Sequence, residues 1–158
     1  METLIDELHA LGLLAAANAV PVIVAQLFRD RGATPLDFGH VMRDGERLFG
    51  DHKTWRGLAS GTLAAALVAA LMGLPAALGA AFGLLSLAAD AASSAAKRRM
   101  HLRPGTEVLG LDQLGEALLP LIVFAEPLSL SVGEIVIVTI SFVLLDTATA
   151  RLRHRRWL

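Results

Sequence analysis

The chain has no cysteine among its 158 residues, and that absence removes disulfides, thiolate metal sites and thiol nucleophiles together. Charge is also scarce. Charged residues make up 18% of the chain and the net charge is −1, so there is no basic surplus of the kind that draws a protein to nucleic acid. No basic n-region precedes the first apolar stretch, which opens after Met1-Glu2-Thr3, and no small-residue cleavage site follows it. The expectation is a retained span rather than a cleaved targeting peptide. What the chain has instead is apolar mass: 54% of its residues are hydrophobic, far from the balance of a water-soluble domain. Its length alone implies one domain, 1–158.

The longest uncharged segment, Leu58 to Ala89, has 32 residues. As one helix it would run roughly 48 Å and overshoot a hydrocarbon core of about 30 Å. It therefore divides into two spans at Gly73-Leu74-Pro75, because Pro75 cannot donate to a continuing helix but suits the start of a new one. The remaining apolar stretches complete an all-α integral membrane protein of five transmembrane helices, near residues 4–28, 56–72, 75–96, 111–126 and 132–152. Gly79 and Gly83, four apart, suit close approach between helices.

The basic residues test this division, since cytoplasmic loops are enriched in Lys and Arg. Arg29, Arg31, Arg43, Arg47, Lys53 and Arg56 follow the first span; Lys97, Arg98, Arg99 and Arg103 follow the third; Arg151, Arg153, Arg155 and Arg156 lie in the tail. With five alternating spans, all 14 fall on one side. That puts the N-terminus outside, the C-terminus in the cytoplasm, and the two long loops, 29–55 and 97–110, on the cytoplasmic face. The external connections, at Gly73-Leu74-Pro75 and Glu126-Pro127-Leu128-Ser129, are too short for a binding domain of their own.

Polar residues concentrate at that cytoplasmic side. Asp90, Ser94, Lys97 and Arg98 stand at i, i+4, i+7 and i+8, which places a carboxylate, a hydroxyl and two cations along one helical face rising about 10 Å. A carboxylate at membrane depth is expensive unless paired or bound to a cation. Oxygen ligands suit Mg²⁺, and neighbouring cations suit phosphate oxygens; the plain alternative is that Asp90 pairs with an ordinary anchor of cations. Asp112, at the start of the fourth helix, reaches the same depth and could flank the same metal, or simply complement the helix dipole. Glu116, one turn later, faces either that cavity or a neighbouring helix. In the first loop, Asp44 to Gly57 mixes glycines with Lys53 and Arg56, a composition that can fold over a polyanion or form a solvated loop with Trp55 as interfacial anchor. Asn18 and Pro21 in the first helix read as a hydrogen bond and a kink.

Four stretches in order resemble the CDP-archaeol synthase family, relatives of the CTP:phosphatidate cytidylyltransferases. Ala17-Asn18-Ala19-Val20-Pro21-Val22 resembles the family's first-helix motif. Asp44-Gly45 and Phe49-Gly50-Asp51-His52-Lys53-Thr54-Trp55-Arg56-Gly57 resemble its signature loop, the most specific of the four. Asp90, Ser94 and Lys97-Arg98-Arg99 match its aspartate, serine and Lys-Arg pattern, and Leu111-Asp112-Gln113 its second acidic motif. The chain departs from the pattern at Ala89, where the family usually has glycine, and in the alanine-rich segment after Asp90.

The resemblance, not the composition, implies Mg²⁺-dependent condensation of CTP with a lipid phosphate, archaeal-type ether lipid phosphate or phosphatidate, releasing pyrophosphate. It implies metal ligation by Asp90 and Asp112, catalytic cations Lys97 and Arg98, and substrate contacts from Lys53, Thr54, Arg56, Ser94, Asn18 and His52. A non-catalytic lipid-binding or assembly subunit would share the topology without needing both aspartates. A CDP-alcohol phosphotransferase would need the further pattern of glycine and aspartates that does not follow Asp44-Gly45. Expected partners are CTP, the lipid phosphate and the bilayer, with no nucleic acid; five short helices offer little interior, which leaves a homodimer open.

Overall fold

The computed structural model of the chain describes residues 2–102 and 111–155, with side chains for 3–102 and 115–149. The described residues form five helices: α1 (Glu2–Phe28), α2 (Trp55–Leu71), α3 (Ala76–Arg99), α4 (Leu111–Val123) and α5 (Val132–Arg155). Extended pairing among the described residues is limited to isolated bridges between Pro35 and Thr54 and between Val41 and Arg47. Among the described residues three helices are long and apolar enough to cross a membrane: Thr3–Phe28, Ala76–Arg99 and Val132–Thr149. The other two are shorter: α2 has the length that the expected span 56–72 gives it, whereas α4 ends before the expected 126. At 17 residues α2 reaches roughly 26 Å, and the 13 residues of α4 reach roughly 20 Å, against a core of about 30 Å.

The helix ends have local causes. α2 closes on Gly73, whose φ of 79° is the left-handed turn that glycine adopts freely. Leu74 N–H then donates to the Ala69 carbonyl at 2.9 Å and Gly73 N–H to that of Ala70 at 3.2 Å, satisfying the last carbonyls of the helix. α3 runs to Arg99 rather than the expected 96, because its three terminal cations complement the helix dipole. It closes the same way on His101, with Leu102 N–H on the Lys97 carbonyl at 3.1 Å. α4 stops at Val123, short of the expected 126, and a turn leads past Pro127 to Ser131. There Ser131 and Glu134 cap α5 reciprocally, backbone N–H of each to side chain of the other, at 2.6 and 3.4 Å.

α1, α2 and α3 pack on one another, α4 lies on α3, and α5 packs against α1 and α4. Buried positions follow the helical period: Ala10, Leu13, Leu14 and Ala17 on α1, and Gly79, Phe82, Gly83, Ser86 and Ala89 on α3. The opposite faces are apolar and open, as Leu63, Leu67 and Leu71 on α2 illustrate, which suits helices solvated by lipid. Hydrocarbon does not drive apolar faces together, so close backbone approach does the packing. A side chain at Gly61 would strike the Ala17 carbonyl, and one at Gly79 the Ala65 carbonyl.

Both interior prolines are accommodated by a neighbouring helix. Pro21 has no N–H for the Ala17 carbonyl, and it is against this carbonyl that Gly61 sits. Pro120 likewise leaves the Glu116 carbonyl without its helical donor, and the Ser86 hydroxyl donates to it at 2.8 Å. Ser86 in turn accepts from Asn18 Nδ2 at 3.1 Å, so one hydrogen-bond chain crosses α1, α3 and α4.

Candidate active site

Residues 29–54 fold back over one end of the bundle, held by charge and backbone pairing. Asp37 is the centre of this loop. Its side chain has no exposed surface, and it accepts from Arg47 through both Nε and Nη2, with Nη2 at 2.5 Å, and from the N–H groups of Gly39, Phe49 and Gly50 at 3.1, 3.1 and 3.2 Å. The Arg47 guanidinium and these amides hold the Asp37 carboxyl well below the usual carboxylate range, against the opposing effect of burial. Arg47 also reaches Asp51 at 2.8 Å. Arg99, at the end of α3, closes the loop from below through Asp44 at 3.0 Å and the Arg47 carbonyl at 2.8 Å.

This packing fixes the segment that carries Lys53. Gly50 takes a φ of 95°, a left-handed turn that favours glycine, and its carbonyl accepts from Lys53 N–H at 3.3 Å. The Lys53 carbonyl accepts from Leu36 N–H at 2.7 Å, and Trp55 N–H donates to Thr34 at 3.0 Å. Held at both backbone ends, Lys53 extends its ammonium to Asp90 Oδ2 on α3. The two side chains keep 24% and 21% of their exposure, so the pair is reachable rather than sealed.

A cavity of about 570 Å³ opens beside this pair, within the range of small-molecule sites. Its helix side is apolar, with Pro21, Val22, Ala25, Leu58 and Leu87. Its charged lining comes from the loop, with Asp30, Asp51, His52 and Lys53, joined by Arg56 on α2 and Asp90 on α3. Of the sequence-predicted site residues, Asn18, His52, Lys53, Thr54, Arg56 and Asp90 all line it. Two of these also have structural duties. Thr54 Oγ1 caps α2 by accepting from Gly57 N–H at 3.0 Å, and Arg56 Nη1 donates to the Arg29 carbonyl at 3.0 Å and to that of Arg31.

Ser94, Lys97 and Arg98 are buried on α3 and do not line the cavity. Arg98 Nη1 donates to the Leu102 carbonyl at 3.2 Å, while its buried Nε has no acceptor among the described residues. Asp112 lies in the first turn of α4, and its side chain falls outside the described residues, as do Arg103 and the side chains of the basic tail. Its helix is placed by Gly115, where an added Cβ would lie 3.0 Å from Ser93 Oγ and 3.9 Å from the Ala89 carbonyl. Ala89, the departure from the family glycine, is thus faced by a glycine on α4.

Sequence reasoning missed Asp37 and the carboxylates of Asp30 and Asp51 as parts of this arrangement. Asp37-Phe38-Gly39 is a signal for a side chain that binds its own backbone, but an aspartate in a polar loop reads as solvated. Among the described residues no three carboxylate or imidazole groups converge into a metal cage. Mg²⁺ asks for less, since it binds through one or two carboxylates plus substrate phosphates. A cavity lined by three carboxylates beside two cations takes a polyanion more readily with a divalent cation between them, and Asp90 supplies oxygen at its wall, so the donor set fits Mg²⁺.

A family model described as CarS-like, CDP-archaeol synthase, matches residues 4–83. A protein of Pyrococcus furiosus named CDP-archaeol synthase is 35% identical over 153 residues, covering 89% of this chain and 87% of its own. One of the same name from Thermococcus kodakarensis is 42% identical over 133 residues, covering 76% and 73%. A solved structure of an intramembrane enzyme for archaeal membrane lipid biosynthesis superposes with a TM-score of 0.72 at 32% identity, covering 90% of this chain and 91% of that one.

Proposed function

The chain belongs to the CDP-archaeol synthase family, and from that premise we propose that its loop-covered cavity transfers a cytidylyl group from CTP to an archaeal ether-lipid phosphate. The observation that carries this reading is the meeting of Lys53, Asp90, His52, Thr54 and Arg56 with Asn18 and Pro21 around one cavity, charged toward the loop and apolar toward the helices. Such a cavity suits a substrate with a phosphate at one end and hydrocarbon at the other. A non-catalytic subunit is not favoured, because the named relatives are synthases.

In the reaction an oxygen of the lipid phosphate attacks the α-phosphorus of CTP. A new phosphoanhydride bond forms, the bond from the α-phosphorus to its bridging oxygen breaks, and pyrophosphate leaves with that electron pair. A phosphate monoester is ionised at neutral pH, so no strong general base is required, and positioning with charge neutralisation is the protein's task. Lys53 leaves Asp90 to hold nucleotide phosphate, with Arg56 beside it and His52 and Thr54 orienting the same group. Asn18 marks the lipid side. For Ser94, Lys97 and Arg98, buried on α3 outside the cavity, the role is to support that phosphate site from behind, with the Arg98 Nε left without an acceptor among the described residues. Asp90 and Asp112 would hold Mg²⁺, which supplies neutralisation of the charge developing on the phosphates.

The side of action is the cytoplasm, on a five-span topology with the N-terminus outside. Support comes from the gathering of first-loop cations and the cationic end of α3 at one end of the bundle, joined by the contacts of Arg99 with Asp44 and Arg47. The test is purified protein in lipid nanodiscs given CTP, Mg²⁺ and a geranylgeranylated glycerol phosphate. Stoichiometric pyrophosphate and CDP-lipid are expected; folded protein that releases neither refutes the reading.

A further inference from the structure

Phe38 is the least expected residue in the loop. Its φ is 48°, a left-handed conformation that a bulky side chain rarely adopts and that persists only where the surroundings enforce it. They do so here on both sides. Asp37 is buried and bound to Arg47, Gly39 N–H donates back to Asp37 Oδ1 at 3.1 Å, and Phe38 N–H donates to the Pro35 carbonyl at 3.1 Å. The enforced turn does not bury the ring. Phe38 is 75% exposed, and its ring stands 6.1 Å from that of Trp55, itself 48% exposed. A strained backbone that turns an aromatic pair outward has no use in water.

The height of that pair is set by the helices. Trp55 is the first residue of α2, and Arg56 beside it binds the carbonyls of Arg29, which directly follows the last residue of α1, and of Arg31 in the turn after it. The start of α2 is therefore level with the end of a helix long and apolar enough to cross a membrane. Leu27 and Phe28, in the last turn of α1, are exposed at the same boundary. Aromatic rings at that height belong to the interfacial belt, and the exposed Arg29 and Arg31 suit lipid phosphate groups. We propose that Phe38 and Trp55 dock the first loop onto the headgroup layer of the protein's own bilayer. The surface is continuous with the lipid-facing side of α1, and it holds the segment carrying Lys53 against the membrane from which the lipid phosphate must come.

The test exploits the two tryptophans, Trp55 and Trp157, and the absence of cysteine. In a full-length Phe38→Trp, Trp55→Phe, Trp157→Phe variant the aromatic pair is kept and a single fluorophore reports position 38. Reconstituted in vesicles of phosphatidylcholine and phosphatidylglycerol, it should lose most of its emission to lipids brominated near the headgroup and less to lipids brominated near the chain ends. It should also resist quenching by aqueous iodide. Emission quenched by iodide and indifferent to bromine would put Phe38 in water and overturn the proposal. Protection from both quenchers that grows with protein-to-lipid ratio would mean a second copy covers the patch, which also overturns it. Should the triple variant fail to fold, a nitroxide on Phe38→Cys gives the same measurement. It should be more accessible to oxygen than to a water-soluble nickel chelate, as a label on Leu63→Cys in the lipid-facing row of α2 is; the reverse order overturns the docking.

Discussion

Asp90 and the group of Ser94, Lys97 and Arg98 lie on one helix within three turns, yet their surroundings are opposite. Asp90 opens on a cavity and is met by Lys53 from a loop, whereas the other three are buried on the same helix, Lys97 at 9% and Arg98 at 8% exposure. A charge with solvent access can exchange one partner for another, as binding a nucleotide demands. A buried charge has already lost its water, and removing it or its partner costs stability before it costs activity. Helical spacing put all four on one stripe; only the neighbouring helices decide which end is open.

The most severe test of that contrast is at its open end. Asp90→Asn should nearly abolish pyrophosphate release per folded molecule. If Asp90 and Asp112 share a metal, the Asp90→Asn, Asp112→Asn double variant should be scarcely worse than either single one, because residues acting as a unit are non-additive. Near-normal turnover in a folded single variant would remove the metal assignment, and turnover measured across a Mg²⁺ series distinguishes a weakened site from a lost one.

Lys53→Ala and Arg98→Ala separate the two ends directly. Each should lower turnover at least about tenfold, equivalent to roughly 1.4 kcal/mol of transition-state stabilisation. Lys53→Ala should do so with normal folded yield, while Arg98→Ala should also lower the melting temperature in detergent. Equal yields for both would erase the distinction drawn from burial. Arg155→Ala, on the basic tail, should leave turnover unchanged.

Much of the fold was legible because bilayer thickness, proline and charge placement act locally. Gly73-Leu74-Pro75 broke the long apolar run where expected, and five helices resulted. Less legible was what depends on partners distant in sequence. Nothing near Arg56 announces that it holds the carbonyls of Arg29 and Arg31, and nothing near Ser94 announces that it is covered. Lys53, Arg56 and Asp90 were singled out by their chemistry, the resemblance supplied CTP and the substrate roles of His52, Thr54 and Asn18, and neither reached Asp37, whose importance comes from burial.

Asp37 gives the next test. Asp37→Asn keeps the shape and removes the charge from a buried pair, and should cost about 2–3 kcal/mol, read as faster proteolysis within residues 29–54. Because the folded carboxyl is held below its unfolded value of 3.8, its contribution is complete above that pH and declines only as pH falls further. The wild-type loop should therefore resist proteolysis equally at pH 7 and pH 5, then loosen in stronger acid, and Asp37→Asn should lack that acid-dependent step.

The smallest effect is expected at Ser86. Ser86→Ala removes the hydroxyl that donates to the Glu116 carbonyl and accepts from Asn18, a loss of about 1 kcal/mol, measurable as a lower melting temperature.

The chain of donors from Asn18 through Ser86 to the Glu116 carbonyl has a mechanical consequence. Asn18 lies in the cavity wall, and Glu116 lies one turn beyond Asp112 on the helix that bears the second acidic motif. Widening the cavity by moving α1 outward must either snap one of two hydrogen bonds or drag α4 along. The width of the cavity and the placing of α4 are thus geared to one another through a single hydroxyl.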